Sequence, residues 1–567
     1  MPYRASEPKA PKTAAGDTGL VGEIIRQFAD PLAFYRELVQ NALDAGATRI
    51  DVRLLWEGHA EDPNAEGTMH ASIIDDGEGM TRDILENRLL VLFRSGKEGQ
   101  KGKIGKFGIG FSSVLALSPT VVTIHTTRPP DDRWTLELHP DLSYDLFARE
   151  GRDASGTTVT LRLPMLRGAV DDFVARSVSA LTRWCRHARI PVTVRCFVAG
   201  HGEPMLEKRV DEPFDIEALV KVTQRGGLDE RTVVVGVPAD GGRYAGFFKH
   251  GLMLFETDEQ LVGSFAFKIQ DPRLEHTLSR DNVRRDAAFA DALDAVRELI
   301  AGPLVAAATA ELRRLAKDHD GAAWVRTALA IDASGLEVPA SAFAVPRIAA
   351  AGEREVTTVA AIRKTRAFVA TGPTELALRA AEAELDVVDT FTHGAGGAAD
   401  AVSAMLERRV GRKLAPVEQA VAAVTVLEGT ADDVSLVEQT RPLFRACGKQ
   451  PCEVRFVRVE GVRAEAPCLA APKALVHDRA LAIGRGQPIT LVADSASECP
   501  LGRRDGVLLF NVAHPLVAFA RQRAAERPVL AAALLARVAL LTWGLLDEKK
   551  ARALTREALS VALPETP

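Results

Sequence analysis

Residues 36–46 read RELVQNALDAG, and within them Glu37, Asn41 and Asp44 recur at i, i+4 and i+7. That spacing puts a carboxylate, a carboxamide and a second carboxylate on one face of a helix. The helical pattern starts upstream in LVGEIIRQFADPLAF, is interrupted near Pro31 and closes with Gly46 as its C-cap. A carboxylate beside a carboxamide can act as a general base next to a Mg²⁺ ligand, because magnesium takes such oxygens while keeping several waters. Taken alone, the same pattern also fits a solvated polar helix face.

Two further segments carry chemistry. The run HASIIDDGEGM has the alternation of a strand and ends in Asp75-Asp76-Gly77-Glu78-Gly79-Met80. Gly77 and Gly79 let the backbone turn tightly and leave room for a flat ligand. Asp75 can accept a hydrogen bond from an exocyclic amine, and Met80 offers a polarizable wall. The second segment is Gly105-Lys106-Phe107-Gly108-Ile109-Gly110-Phe111, which feeds the helical run SSVLAL. A glycine-rich turn at a helix N-terminus aims backbone N–H groups at anions. It is not a Walker A loop, since GKS or GKT is missing. An ordinary strand-to-helix loop and a glycine-rich hinge are the plainer readings of these two segments.

The chain around them is long and evenly charged. Its 567 residues suggest three or four domains at ~150 residues each. Lys and Arg number 71 against 76 Asp and Glu, a balance that argues against a general nucleic-acid binder. No window approaches the ~18 uncharged apolar residues of a membrane span. The N-terminus lacks the apolar core of a signal peptide. Six cysteines without a CxxC pair fit a reducing compartment, so a cytoplasmic location is expected.

Residues 1–18 read as a disordered leader. TRIDVRLLWEG, TVVTIHTT and GTTVTLRLP read as strands of one sheet with HASIIDDGEGM. A helix through DDFVARSVSALTRWCRHA precedes strand VTVRCFV, and this first unit, 19–200, closes there. Residues 201–434 follow as two α/β pieces, 201–350 and 351–434. The first holds strands RTVVVGVP and GRYAGFFKH and a helix from Asn282 through Arg314. The second holds strand RAFVAT, helix TELALRAAEAEL and strand DVVDTFT. Residues 435–567 start with strand CEVRFVRVE and end in helical ground. There PVLAAALLARVALLTWGLL, with an arginine in its apolar stretch, reads as a buried helix rather than a bilayer span. His514, with no partner His or Cys at ligand spacing, reads as a turn and cap residue.

In order and spacing, the three segments resemble the GHKL superfamily of ATPases, named for gyrase, the heat-shock chaperones, histidine kinases and MutL. The resemblance implies an α+β multidomain chain with an N-terminal Bergerat α/β sandwich that binds ATP and Mg²⁺. It implies that Glu37 activates the attacking water and Asn41 binds the metal. Asp75 would receive the adenine amine and Thr157, in GTTVTL, would support it through water. Gly105, Phe107, Gly108, Gly110 and Phe111 would wrap the phosphates beneath a mobile lid.

Among the branches, IGKFGIGF resembles the lid-to-helix sequence of the ninety-kilodalton heat-shock chaperone family. Arg94-Ser95-Gly96 stands where that family has Lys-Ser-Gly, which keeps the charge and changes the donor geometry. HARIPVTV stands where it has a Tyr-Pro-Ile strand, with Arg189 replacing the tyrosine. LEHTLSRDNVRRD resembles the family's middle-domain loop and puts Arg280 on its catalytic arginine. LFNVAHPLV resembles the line before its C-terminal dimerisation helices. The expectation is an ATP-dependent chaperone, with an α/β middle domain and a mostly helical dimerisation domain at 435–567, acting as a homodimer on client proteins, without membrane or nucleic-acid partners. The alternative is a GHKL ATPase module of a dedicated DNA-processing or phage-defence system.

Overall fold

The structure, a computed structural model, describes residues 30–59, 62–90, 111–130, 132–149, 154–200, 202–226, 230–277, 282–318, 320–350, 352–391, 397–478, 489–492 and 499–562. The chain divides into two compact units, the first ending at Leu304 and the second beginning at Val305.

The first unit opens with helix α1 (Phe34–Asp44), preceded by a short turn whose Asp30 side chain accepts the Leu32 amide. Phe34, Leu38, Val39 and Ala42 are buried, so the apolar stripe of α1 faces the core. Strands β1 (Ile50–Glu57) and β2 (Glu66–Asp75) follow, then β3 (Val121–Arg128), β4 (Asp132–Leu138), β5 (Tyr144–Ala148) and β6 (Gly156–Leu166). Helix α2 (Val170–Cys185) leads into β7 (Val192–Val198) and β8 (Leu206–Arg209). These eight strands form one sheet in the order β5-β4-β3-β6-β2-β1-β7-β8. All pairings are antiparallel except β1 with β7. In β1 the residues alternate strictly, and Ile50, Val52, Leu54 and Trp56 turn inward to meet α1 and α2. Both helices therefore lie over one face of the sheet, as the sandwich expectation requires.

A second sheet, β12-β11-β13-β10-β9, completes this unit. Its strands are β9 (Val220–Gln224), β10 (Thr232–Val237), β11 (Tyr244–Lys249), β12 (Leu252–Thr257) and β13 (Ala266–Gln270). Phe248, Leu252 and Met253 join the first sheet's core, so the two sheets share apolar packing. Helix α3 runs only from Ala287 to Leu299. Asp286 caps it through the Phe289 amide, and a π-helical turn, Ile300–Leu304, containing Pro303 follows. The stretch expected as one helix from Asn282 through Arg314 is helical from Ala287, with its α pattern interrupted by this π turn, because proline cannot supply the N–H the regular ladder needs.

In the second unit, helices α4 (Val305–Lys317) and α5 (Gly321–Ser334) accompany the sheet β15-β14-β17-β16. Its strands are β14 (Ala344–Ile348), β15 (Arg354–Thr358), β16 (Ala367–Ala370) and β17 (Asp386–Asp389), with helix α6 (Glu375–Glu382) between the last two. A further sheet, β20-β22-β19-β18-β21, is built from β18 (Val421–Val426), β19 (Glu453–Gly461), β20 (Cys468–Pro472), β21 (Ile489–Val492) and β22 (Gly506–Asn511). This sheet draws strands from both sides of residue 435. The unit also holds helices α7 (Ala431–Ala446), α8 (Pro515–Gln522), α9 (Pro528–Thr542) and α10 (Glu548–Ala562). Leu535, Ala536, Ala539 and Leu540 of α9 are buried beside Phe444 and Phe510, as a core helix requires. Among the described residues no helix is long and apolar enough to cross a membrane. His514 caps α8 by accepting the Leu516 amide at its Nδ1, 3.3 Å away, the turn-and-cap role read from the sequence.

Candidate functional site

The end of β2 organises the site. Asp75 lies opposite Thr157 of β6 and opposite Ile50 of β1 in the antiparallel registers. Its Oδ1 accepts the Gly77 amide at 2.9 Å, which folds the chain sharply after the strand. Burial raises the Asp75 carboxyl above the usual carboxylate range. The Gly77 and Thr157 amides offset part of that rise, and the adjacent Asp76 charge adds to it. Asp75 is therefore a partly desolvated acceptor at the head of a turn.

Asp76 does a different job. Its carboxylate accepts the Thr48 amide at 2.7 Å, the Thr48 hydroxyl at 2.6 Å and the Arg49 amide at 3.1 Å. Burial alone would raise this carboxyl, but the Thr48 and Arg49 bonds together hold it below its ordinary value. The Glu78 amide donates to the Ala45 carbonyl at 2.9 Å. The segment after β2 is thereby fastened to the chain that leaves α1. Gly79 sits at φ +72°, and a Cβ there would lie 2.0 Å from the Thr127 carbonyl oxygen. Only glycine allows this approach of the turn to β3.

On α1, Glu37 is buried in the first turn, and Asn41 and Asp44 are exposed one and two turns on. The polar face foreseen at i, i+4 and i+7 thus runs from the interior to the surface. The Arg36 guanidinium lies 3.6 Å from the Glu37 carboxylate and 5.8 Å from the Trp184 ring centroid on α2. Desolvation raises the Asp44 carboxyl, with His250 and Lys249 pulling it down. Asn41 makes no side-chain hydrogen bond to a described residue.

Met80 is half-buried against the core, and its amide donates to the Thr126 hydroxyl at 2.8 Å. That hydroxyl lies 3.1 Å from the Thr157 hydroxyl. Thr126 is the residue that reading the sequence misses. It sits in a strand rich in threonine, and only the pairing of β3 with β6, Thr126 opposite Thr157, gives it a role. Phe111 is buried in a short turn packed on α1. Arg94, Gly105, Phe107, Gly108, Gly110 and Arg280 lie outside the described residues.

The structure thus brings Asp75, Gly77, Gly79, Met80 and Thr157 to one end of the sheet, and ties that end to the C-terminus of the helix carrying Glu37 and Asn41. The geometry offers a half-buried acceptor, a polarizable wall and a threonine pair. This suits a planar, amine-bearing ligand beside a helix face that bears oxygen ligands.

Known proteins are similar to this region in sequence. Residues 35–145 match the family model described as histidine kinase-, DNA gyrase B-, and HSP90-like ATPase. The chaperone protein HtpG of Gluconobacter oxydans is 28% identical over 189 residues, 30% of each chain. That of Shewanella baltica is 31% identical over 185 residues, and that of Hydrogenovibrio crunogenus 31% over 189, each covering 28% of both chains. The match thus spans about 30% of the length of these relatives. Over residues 35–145 the chain is thus similar to the histidine kinase-, DNA gyrase B- and HSP90-like ATPases, and over about 30% of its length it resembles the HtpG chaperones.

Proposed function

We propose that the chain is an ATP-dependent molecular chaperone that binds and hydrolyses ATP in the pocket formed by residues 20–165. Asp75 accepts the adenine amine and Thr157 supports it through water, with Gly77, Gly79 and Met80 shaping the space for the ring. Glu37 orients and deprotonates the attacking water, with Asp44 further along the same helix face. Arg94, Gly105, Phe107, Gly108, Gly110 and Phe111 belong to the lid and phosphate loop. Asn41, exposed one turn beyond Glu37, suits an oxygen ligand for Mg²⁺, which when bound neutralises phosphate charge. Arg280 reaches the terminal phosphate when the lid closes, a contact of a kind worth ~10³ or more in rate.

The observation that supports this reading most is the half-buried Asp75 carboxylate paired in register with Thr157 and fastened through Glu78 to the end of α1. The cycle drives a homodimer, joined through the C-terminal helices, to clamp on client proteins in the cytoplasm. Exposed Phe519, Leu530, Leu541 and Leu559 on those helices are consistent with a self-associating surface.

The test is suppression of aggregation of a thermally unfolded enzyme by the purified chain, with and without ATP. ATP-dependent suppression is expected. An ATPase that DNA stimulates and that leaves aggregation untouched would instead favour a module of a DNA-processing or phage-defence system.

A further inference from the structure

The end of α2 meets the second sheet through a polar cluster that the nucleotide reading does not use. Arg186, the residue after α2, donates from Nη2 to the Tyr244 hydroxyl at 2.9 Å and to Glu256 at 3.3 Å. Lys268 on β13, 8% exposed, donates to the Asp215 carbonyl at 2.7 Å and to His187 Nε2 at 2.9 Å. An ammonium can only donate, so His187 accepts at Nε2, and its Nδ1–H donates to the Glu212 carbonyl 3.1 Å away. Burial first, and then the Lys268 charge, holds the His187 pKa down at about 4, so this imidazole is neutral at pH 7.

Arg186 and Lys268 line a cleft of about 360 Å³ together with Arg243, Glu217 and Asp240, with Ile216 and the Tyr244 ring among its apolar walls. Among the lining residues three cations face two carboxylates, of which Asp240 already accepts the Gly242 amide, while Glu256, outside the lining, pairs with Arg186 at 3.3 Å. The donors are not all matched. Arg186 Nε is buried without a hydrogen-bond partner. Lys268 has two acceptors for three ammonium protons. Arg243, exposed at the rim, bonds the Asp258 carbonyl through Nε, and its terminal nitrogens have no acceptor among the described residues. A buried donor left unsatisfied is unfavourable, more so when it is charged. An acceptor entering the cleft can meet the unmatched Lys268 and Arg243 donors, and the volume is that of a small-ligand pocket.

We propose that this cleft is a second ligand site, which takes a small organic anion with a carboxylate or phosphate head on a flat apolar body. The head meets the cationic donors of Arg186, Lys268 and Arg243, and the body lies against Tyr244 and Ile216. The site shares no residue with the proposed nucleotide pocket and does not depend on it.

The test is calorimetric titration of the full chain with phenyl phosphate, with benzoate and with the neutral counterpart benzamide, repeated in the Asp75→Asn variant. One or both anions should saturate a single site at least about tenfold more tightly than benzamide, and equally well in Asp75→Asn. The better-bound anion identifies the head. Arg243→Ala removes an exposed rim residue and should leave thermal unfolding unchanged while weakening the anion about tenfold, the worth of one charge-assisted contact.

Affinity should also fall between pH 7 and 9. Lys268 is faced by Arg186, His187, Tyr244, Glu212, Asp215 and Glu256, and desolvation, then Arg186, lowers its pKa to about 8. Four results would overturn the proposal: no saturation by ~10 mM, benzamide binding as well as the anions, no effect of Arg243→Ala, or binding lost with Asp75→Asn.

Discussion

The Thr126 hydroxyl lies 3.1 Å from that of Thr157 while accepting the Met80 amide at 2.8 Å, so one side chain joins β3, β6 and the turn after β2. Removing it frees both Met80 and Thr157. Thr126→Val keeps the shape and deletes the bridge, leaving the half-buried Met80 N–H unpaired at a cost of ~1–3 kcal/mol. The expected result is ATP affinity weakened about tenfold with the fold retained, read by calorimetry beside a urea melt.

The turn itself makes a second comparison. Gly46 and Gly79 have nearly the same positive φ, +70° and +72°, yet a Cβ at Gly46 meets nothing within 4 Å and one at Gly79 meets a carbonyl oxygen at 2.0 Å. Gly46→Ala should cost only the left-handed conformational term of ~1–2 kcal/mol. Gly79→Ala should cost clearly more and abolish nucleotide binding, because β3 or the turn must move. Equal urea midpoints for the two variants would contradict this reading.

In the second unit, Asp433 on α7 is 4% exposed and paired with Arg521 on α8 through two bonds of 2.7 and 2.8 Å. It also closes a capping box with Thr430. Burial acts to raise its carboxyl, but the Arg521 and Thr430 bonds outweigh that and hold it below its ordinary value. A depressed folded pKa means stability that is present above the unfolded value, ~3.9, and lost as pH falls through the folded one. Arg521→Ala leaves the buried charge uncompensated and should destabilise by ~2–4 kcal/mol at pH 7. The gap to the parent chain should shrink as pH falls, first as the unpaired Asp433 of the variant protonates and then as pH passes through the depressed value in the parent. Thermal melts across that range check it.

Glu37 is buried in the first turn of α1, where a carboxylate is not on a solvated helix face. Glu37→Ala should keep ATP affinity within about threefold and lower hydrolysis by ~10² or more. Normal turnover by that variant would remove Glu37 as the base.

Local chemistry made part of this molecule readable in advance. The α1 pattern, the Gly46 stop and the DDGEGM turn each follow from spacing and from residues with narrow backbone preferences. Thr126, Thr48 and Arg36 were not readable, because each acquires its part only through a partner distant in sequence or on another element: Thr157, Asp76 and Trp184. Strand partners were opaque for the same reason. β18 pairs with β19 and β21 across residue 435, and no local signal marks such a crossing. The π turn after α3 holds Pro303, whose effect an apolar helical pattern concealed.

Titration of the full chain with Mg-ATP, beside the Asp75→Asn variant, probes the nucleotide reading at its root. The parent chain should bind at one site. Its affinity should weaken in acid, beginning above the usual carboxylate range, because burial raises the Asp75 carboxyl. The variant, facing the adenine amine with a donor as well as an acceptor, should lose at least ~30-fold, equivalent to ~2 kcal/mol. Undiminished binding by Asp75→Asn, or no ATP binding by the parent chain, would contradict the assignment.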